Sequence, residues 1–419
     1  MAQSMNEQTL VRLALFLRDL GRAMHVSGAP AHDLEAALQE IGQRLGVRVE
    51  GFAVLTFLAL TVVAGDQSRR VELLRLPPYD FNMARLIALD ALCREIASVD
   101  ELDDYAERLA TIMRQPPPWS GWAFVLMGFP LSASVALLLR GGWAEALCGG
   151  LIGMAFVAGY LLFARIPRLG PAVPVILCTL AALAAQGLAQ LLPQQVPFIS
   201  AVAGIVLLLP GFMITIAMSE IATQNYLAGT GRLTGAFVLL FLMGAGLAIG
   251  TQLSLAWLPA LPLPEALPVL PAWAIWAAIA GLGVSLIAVL QAPLAAVNVS
   301  VGACLLAWAV YSLVDARMGG VVGAFAAALA VACAGHLYQY LSKRPAALVQ
   351  IPGLITLVPG SMGFRGVHAL IHQDSAAGIS LMTDMVLTGA VLAVGLLLAD
   401  NIMPLLFERR KGGSDSPVA

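Results

Sequence analysis

Residues 207–233 read LLLPGFMITIAMSEIATQNYLAGTGRL. The apolar run containing its first half starts near residue 199 and meets no charge until Glu220. That is about the 20 residues a helix needs to cross a hydrocarbon layer of about 30 Å. Pro210 and Gly211 stand near the middle of the run. Proline removes a backbone hydrogen bond and crowds the preceding turn, and glycine loosens the chain further, so a helix kinked or broken near mid-membrane is expected. A broken membrane helix leaves N–H and C=O groups unpaired, which is tolerated only where they are buried in protein or line a polar cavity. A simple packing kink is the plainer alternative, since proline and glycine are frequent in membrane helices.

The same punctuation returns 149 residues later: Arg168 matches Arg317, Gly170 Gly319, Gly204 Gly353, Pro210-Gly211 Pro359-Gly360, Gly229 Gly378 and Gly246 Gly395. Glycines held in register over nearly 80 residues indicate an internal duplication. Ten apolar segments can be drawn, near 119–140, 143–164, 170–192, 199–220, 233–258, 270–291, 294–314, 319–341, 347–371 and 378–406. They split five and five, and an odd number of crossings turns the second unit over in the bilayer. The expected fold is therefore an α-helical polytopic membrane protein with about ten transmembrane helices in two five-helix inverted repeats, an arrangement common in secondary transporters. A small α+β N-terminal cytoplasmic domain (1–118) precedes the membrane units (119–262 and 263–407), and a disordered basic tail (408–419) follows. Because the two Pro-Gly breaks fall in corresponding helices, the matched pair favours a site over a kink.

Composition agrees. Hydrophobic residues make up 59% of the 419 and charged residues 11%, against about 25% charged in an ordinary soluble protein. Residues 1–118 hold 28 of the 48 formal charges, so a soluble front precedes a membrane body. The net charge of -2 gives no basic footprint for nucleic acid. Five cysteines without a C-x-x-C suggest neither a disulfide framework nor a metal site, and no cofactor motif is present. Arg12, Arg18 and Asp19 interrupt the first leucines, which argues against a cleaved signal peptide. Trp119, Trp122, Trp143, Trp257 and Trp273 fall near segment ends, as interface anchors do. With a cytoplasmic front, the inner loops hold Arg165, Arg168, Arg232, Lys343, Arg344, Arg409, Arg410 and Lys411, against Arg140 and Arg317 outside. The positive-inside rule then places both termini in the cytoplasm.

In the front, Leu34, Leu38, Ile41 and Leu45 mark an amphipathic helix after Ser27-Gly28-Ala29, with Pro30 in its first turn. Residues 47–76 read as two or three strands, and helices are expected near 82–97 and 99–114, the second opened by a Ser98–Glu101 capping box. His25, His32 and Asp33 hint at a hydrolytic or metal site, but neither H-E-x-x-H nor G-x-S-x-G occurs, and solvated polar groups at a helix turn are the simpler reading. Arg69, Arg70 and Arg75 read as a solvated strand edge rather than an anion site.

Ionisable residues within apolar segments are expensive and by default face a cavity or a partner. Arg365 and His368 follow the second break three residues apart, and Asp384 lies six residues into the last segment, which makes Arg365–Asp384 the expected buried pair. Glu220 and Arg232 bracket the junction after the first break, and His336 reads as a packed histidine. The substrate-binding candidates are Pro210, Gly211, Asn225, Gly229, Pro359, Gly360 and Arg365; Glu220 and Asp384 are the candidate proton carriers; Arg232, Arg365 and His368 are the candidates for ion pairing or gating.

At this point the chain resembles the threonine/serine exporter family of bacterial inner-membrane proteins. The likeness rests on a soluble front with a small-residue turn before Glu35, on ten membrane segments, and most specifically on Pro210, Gly211, Glu220, Gly229 and Arg232. The front departs from the family pattern, reading Ala-Pro-Ala-His-Asp-Leu-Glu where a hydroxyl residue and an arginine usually precede the glutamate. The resemblance implies export of threonine and serine driven by the proton motive force from a multi-pass inner-membrane protein, and no enzyme activity. Its partners are then a small amino acid or organic acid, protons and lipid, with homo-oligomerisation left open. Alternatives are a small dicarboxylate such as succinate, handled by two-protein relatives, a channel, or a membrane-tethered hydrolase acting through the front domain. No P-loop occurs, so no ATP-driven engine is recognisable.

Overall fold

The computed structural model describes residues 6–65, 68–77, 81–259 and 270–412. In chain order it holds α1 (Glu7–Val26), α2 (Ala31–Arg44), β1 (Arg48–Val54), β2 (Phe57–Ala64), β3 (Ser68–Arg75), α3 (Met83–Glu95) and α4 (Leu102–Arg114). The apolar part follows with α5 (Gly121–Leu138), α6 (Trp143–Phe163), α7 (Val173–Leu191), α8 (Pro197–Gly204), α9 (Gly211–Ala222), α10 (Tyr226–Trp257), α11 (Ala272–Val289), α12 (Val297–Met318), α13 (Gly320–Ser342), α14 (Ala347–Leu357), α15 (Gly360–Ile371) and α16 (Ser375–Gly412). Two compact units result: residues 1–118 with 220–232 and 290–293, and residues 119–219, 233–289 and 294 onward.

The first unit is built on an antiparallel meander, β1-β2-β3, with Leu58, Leu60 and Val62 of β2 facing one side. Leu13, Leu17 and Leu20 of α1 and Leu34, Leu38 and Ile41 of α2, spaced three and four apart, close the core over that face. Each such side chain contributes about 1.5–3 kcal/mol by leaving water. The sequence reading assigned no element to residues 7–26; they form α1, and the charges that interrupt its leucines point outward, Arg18 towards Glu72 at 3.5 Å. The expected capping box does not form. Ser98 instead takes the Asp100 N–H (3.2 Å), and α4 starts one residue after Glu101, whose carboxylate binds the Tyr105 hydroxyl. The start of α3 is capped three times: the Arg85 N–H donates to Asn82 Oδ1 (3.0 Å), and those of Met83 and Ala84 donate to the carbonyls of Leu290 (2.8 Å) and Gln291 (3.1 Å).

The second unit is helical. Among the described residues nine helical stretches are long and apolar enough to cross a membrane, and a tenth is the pair 197–204 and 206–222, bent by 53°. The protein is therefore an α-helical membrane protein. Elements repeat at the spacing read from the sequence: α9 and α15, twelve residues each, start 149 apart at Gly211 and Gly360, and α10 and α16 start 149 apart at Tyr226 and Ser375. Two boundaries differ from expectation. The fifth segment begins at Tyr226 rather than 233, and α16 runs to Gly412, so residues 408–412 are helix rather than disordered tail. Residues 413–419 and the 262/263 boundary lie outside the described residues.

Candidate functional site

Both Pro-Gly pairs break their helices for the same physical reason. The proline ring disfavours helical geometry in the residue before it, and Leu209 (ψ 116) and Val358 (ψ 133) are indeed extended. Helix resumes at once: the Ile214 N–H donates to Pro210 O (3.0 Å) and the Gly363 N–H to Pro359 O (3.2 Å). The two breaks touch. A Cβ on Gly211 would lie 2.7 Å from the Gly360 nitrogen and 2.8 Å from its Cα, and a Cβ on Gly360 would lie 3.2 Å from the Gly211 backbone. At Gly211 only glycine permits this approach, and it sets the N-termini of α9 and α15 side by side. Their first-turn N–H groups, which have no partner inside the helix, and their positive dipole ends favour an anion there.

Beyond each break lies an elbow, and the two match bond for bond. Gln224 (φ 67) and Gln373 (φ 64) take the left-handed conformation, and the next N–H reaches back five residues, Asn225 to Glu220 O (2.8 Å) and Asp374 to Ala369 O (3.0 Å). The next helix then starts with Gly229 N–H to Asn225 O (3.0 Å) and Gly378 N–H to Asp374 O (2.9 Å). The candidates Asn225 and Gly229 thus serve the backbone of the first elbow rather than the break.

The first elbow carries a buried ion pair. Arg232 grips Glu220 with two hydrogen bonds, Nε to Oε2 (3.0 Å) and Nη2 to Oε1 (2.8 Å), and the side chains are 5% and 0% exposed. Ala228, in the same elbow, is buried as part of the apolar core of the front unit. His25, at the end of α1, is buried; burial lowers its pKa, a hydrogen bond with the Pro77 backbone raises it, and the positive field of Arg232 lowers it again.

The expected Arg365–Asp384 pair does not exist. Both side chains are exposed, and among the described residues neither takes part in an ion pair. The packing face of α15 is Gly360, Gly363, Phe364, Gly366 and Val367, which leaves Arg365 between its flanks, while α16 turns Met382 and Met385 towards α15 and Asp384 away. His368 packs, with its ring tilted, against Phe198 (centroids 4.3 Å apart) and His372 (4.2 Å).

Three further polar arrangements escaped the sequence reading. Glu145, 1% exposed, accepts the N–H groups of Gly142 and Val196, each at 2.7 Å, joining the starts of α6 and α8; its position three residues into a helix after Gly142 was the available signal. His336 of α13 and Asp400 of α16 lie 2.7 Å apart, so His336 is paired and not merely packed. In the front, Asp33 is exposed as expected, whereas His25 and Ser27 are buried rather than solvated. Glu35 accepts the Ala53 N–H at 2.6 Å, and burial raises its pKa against that bond and nearby His32. Ser27 Oγ is fully buried with no hydrogen-bond partner among the described residues, so the Ser–His contact of a hydrolase is not made. Arg69, Arg70 and Arg75 are exposed on β3. Among the described residues no three His, Cys, Asp or Glu side chains gather as a metal site.

The threonine/serine exporter family model matches residues 15–254, and a second threonine/serine exporter model matches residues 273–402. A "Threonine/serine exporter" of Corynebacterium glutamicum is 27% identical over 77% of this chain and 68% of its own length. A "Probable threonine/serine exporter" of Mycobacterium tuberculosis is 26% identical over 91% of this chain and 74% of its own. "Pheromone-regulated membrane protein 10" of Eremothecium gossypii is 21% identical over 95% of this chain and 57% of its own. No solved structure matches the chain.

Proposed function

The chain belongs to the threonine/serine exporter family, and from that premise we propose that it exports threonine and serine across a bacterial inner membrane, driven by the proton motive force, with both termini in the cytoplasm and its two five-helix halves inverted. The observation that carries this reading is the meeting of two broken helices at Gly211 and Gly360. A hydroxy amino acid is a zwitterion with one carboxylate. Two helix N-termini side by side suit that carboxylate, while backbone carbonyls of the broken turns suit the ammonium and hydroxyl groups. The same N-termini would attract one end of a dicarboxylate, so the test carries both substrates. In proteoliposomes holding the full chain, labelled threonine and serine should exchange, succinate should not compete, and collapsing the proton gradient should abolish net accumulation. Flux unaffected by the gradient would instead indicate a channel, and exchange of succinate alone would replace the substrate class.

A further inference from the structure

Every ionisable group inside a membrane span needs an account, because burying an unpaired charge there is expensive. Glu220 is neutralised by two bonds from Arg232 and Glu145 by two backbone N–H groups, while Arg365 and Asp384 lie on exposed faces. His368 packs against Phe198 and His372, and Arg168, Asp315 and Arg317 stand at span ends, which leaves His336 and Asp400 as a couple without another account. They sit in the candidate spans 320–342 and 375–403 with Nε2 and Oδ1 2.7 Å apart, side chains 17% and 36% exposed. The duplication does not supply them, since the positions 149 residues earlier are Gly187 and Thr251.

We propose that the His336–Asp400 couple is the proton-carrying site of this transporter. With Nε2–H donating to Asp400, the lone pair on Nδ1 takes the proton; no bond between heavy atoms changes, and the couple passes from one net negative charge to none. The neutral form tolerates an apolar surrounding and the charged form requires water, so occupancy by a proton selects between two settings of α16 against α13. The helix α16 can pass that choice on. It crosses α15 where a Cβ on Gly366 would lie 3.2 Å from Gly378 O, and α15 begins at the break. It also crosses α13 at Gly395, where a Cβ would lie 2.9 Å from Ala328 Cβ. The titratable groups on the elements around the couple include Cys333, Tyr338, Tyr340 and, at its end, Lys343 on α13; Tyr311, Asp315 and Arg317 on α12; Arg365 and His368 on α15, which packs on α16; and, on α16 itself, Asp384 sixteen residues before Asp400 and Glu408, Arg409, Arg410 and Lys411 after it, while α14 has none.

This inference rests on the exporter reading, and the test separates the two. Full-length protein in proteoliposomes is assayed for accumulation of labelled threonine driven by a pH gradient and for threonine exchange without one. Asp400→Asn and His336→Gln should each lose driven accumulation and keep exchange near the wild-type rate. Driven accumulation retained by both variants would overturn the inference alone. Equal loss of both readouts at normal membrane abundance would also overturn it, by making the couple part of the fold or the substrate path. Should Asp400→Asn fail to insert, His336→Gln decides, because its neutral amide can still donate to Asp400. A wild type that neither exchanges nor accumulates threonine would overturn the exporter reading and this inference together.

Discussion

The two elbows share a backbone and differ in chemistry. Each turns through a left-handed glutamine and the same five-residue return bond, yet where the first places Glu220 and Arg232 the second has Ala369 and Leu381. The first elbow is locked by a buried, doubly hydrogen-bonded pair and is seated in the front unit through Ala228, with a Cβ on Gly231 3.5 Å from Leu55. The second has a tilted histidine pair, His368 against His372, and the Asp374 cap of α16, whose carboxylate accepts the Ala377 N–H at 3.1 Å. Backbone geometry matches where it depends on proline, glycine and turn bonding; side-chain chemistry differs where each elbow meets different neighbours.

Two large effects are expected, and the first comes from the place where the two breaks touch. Gly211→Ala puts its Cβ into the Gly360 backbone and should destabilise by about 3 kcal/mol, whereas Gly360→Ala, with slightly more room, should lose about 1 kcal/mol. Thermal unfolding of the purified protein with threonine efflux reads both; equal, small losses would mean that the breaks do not abut. Next is the lock. Glu220→Gln should destabilise by about 3–5 kcal/mol because Arg232 is stranded, and adding Arg232→Leu should restore part of it. The matched change Ala369→Gln in the second elbow should do far less, and comparable losses would erase the distinction between the elbows.

What was legible in the sequence follows the same division. Pro210-Gly211 and Pro359-Gly360 announced the breaks because proline acts on its own chain, and the 149-residue register announced the matching helices. Arg365–Asp384 failed because sequence spacing fixes position along a helix but not which face packs, and glycines 360, 363 and 366 took the packing face of α15. His336–Asp400 was invisible as a pair because its partners are 64 residues apart on helices whose crossing no local pattern states. In the front, α1 was hidden by charges that merely occupy its outer side.

Two smaller effects sharpen the contrast. His25 lies beside the first elbow, and its lowered pKa means that the unfolded chain binds protons more readily; stability should therefore fall as pH drops below about 6.5. His25→Gln should flatten that slope, and an unchanged slope would place the acid sensitivity elsewhere. Gln224→Gly and Gln373→Gly relieve the same left-handed strain and should each stabilise by at most about 1 kcal/mol, equally in the two halves. A gain confined to one elbow would show that the shared backbone is under different tension in each.

Substrate should bind where the two breaks meet. Ser361 follows Gly360 in the first turn of α15 and is partly exposed. In a chain whose five native cysteines are replaced, the Ser361→Cys variant is labelled with a small thiol reagent in membranes, with and without threonine. Threonine and serine should slow labelling in proportion to their occupancy, and succinate should not. Labelling that proceeds at one rate with or without saturating threonine, in a variant that still transports it, would contradict the claim.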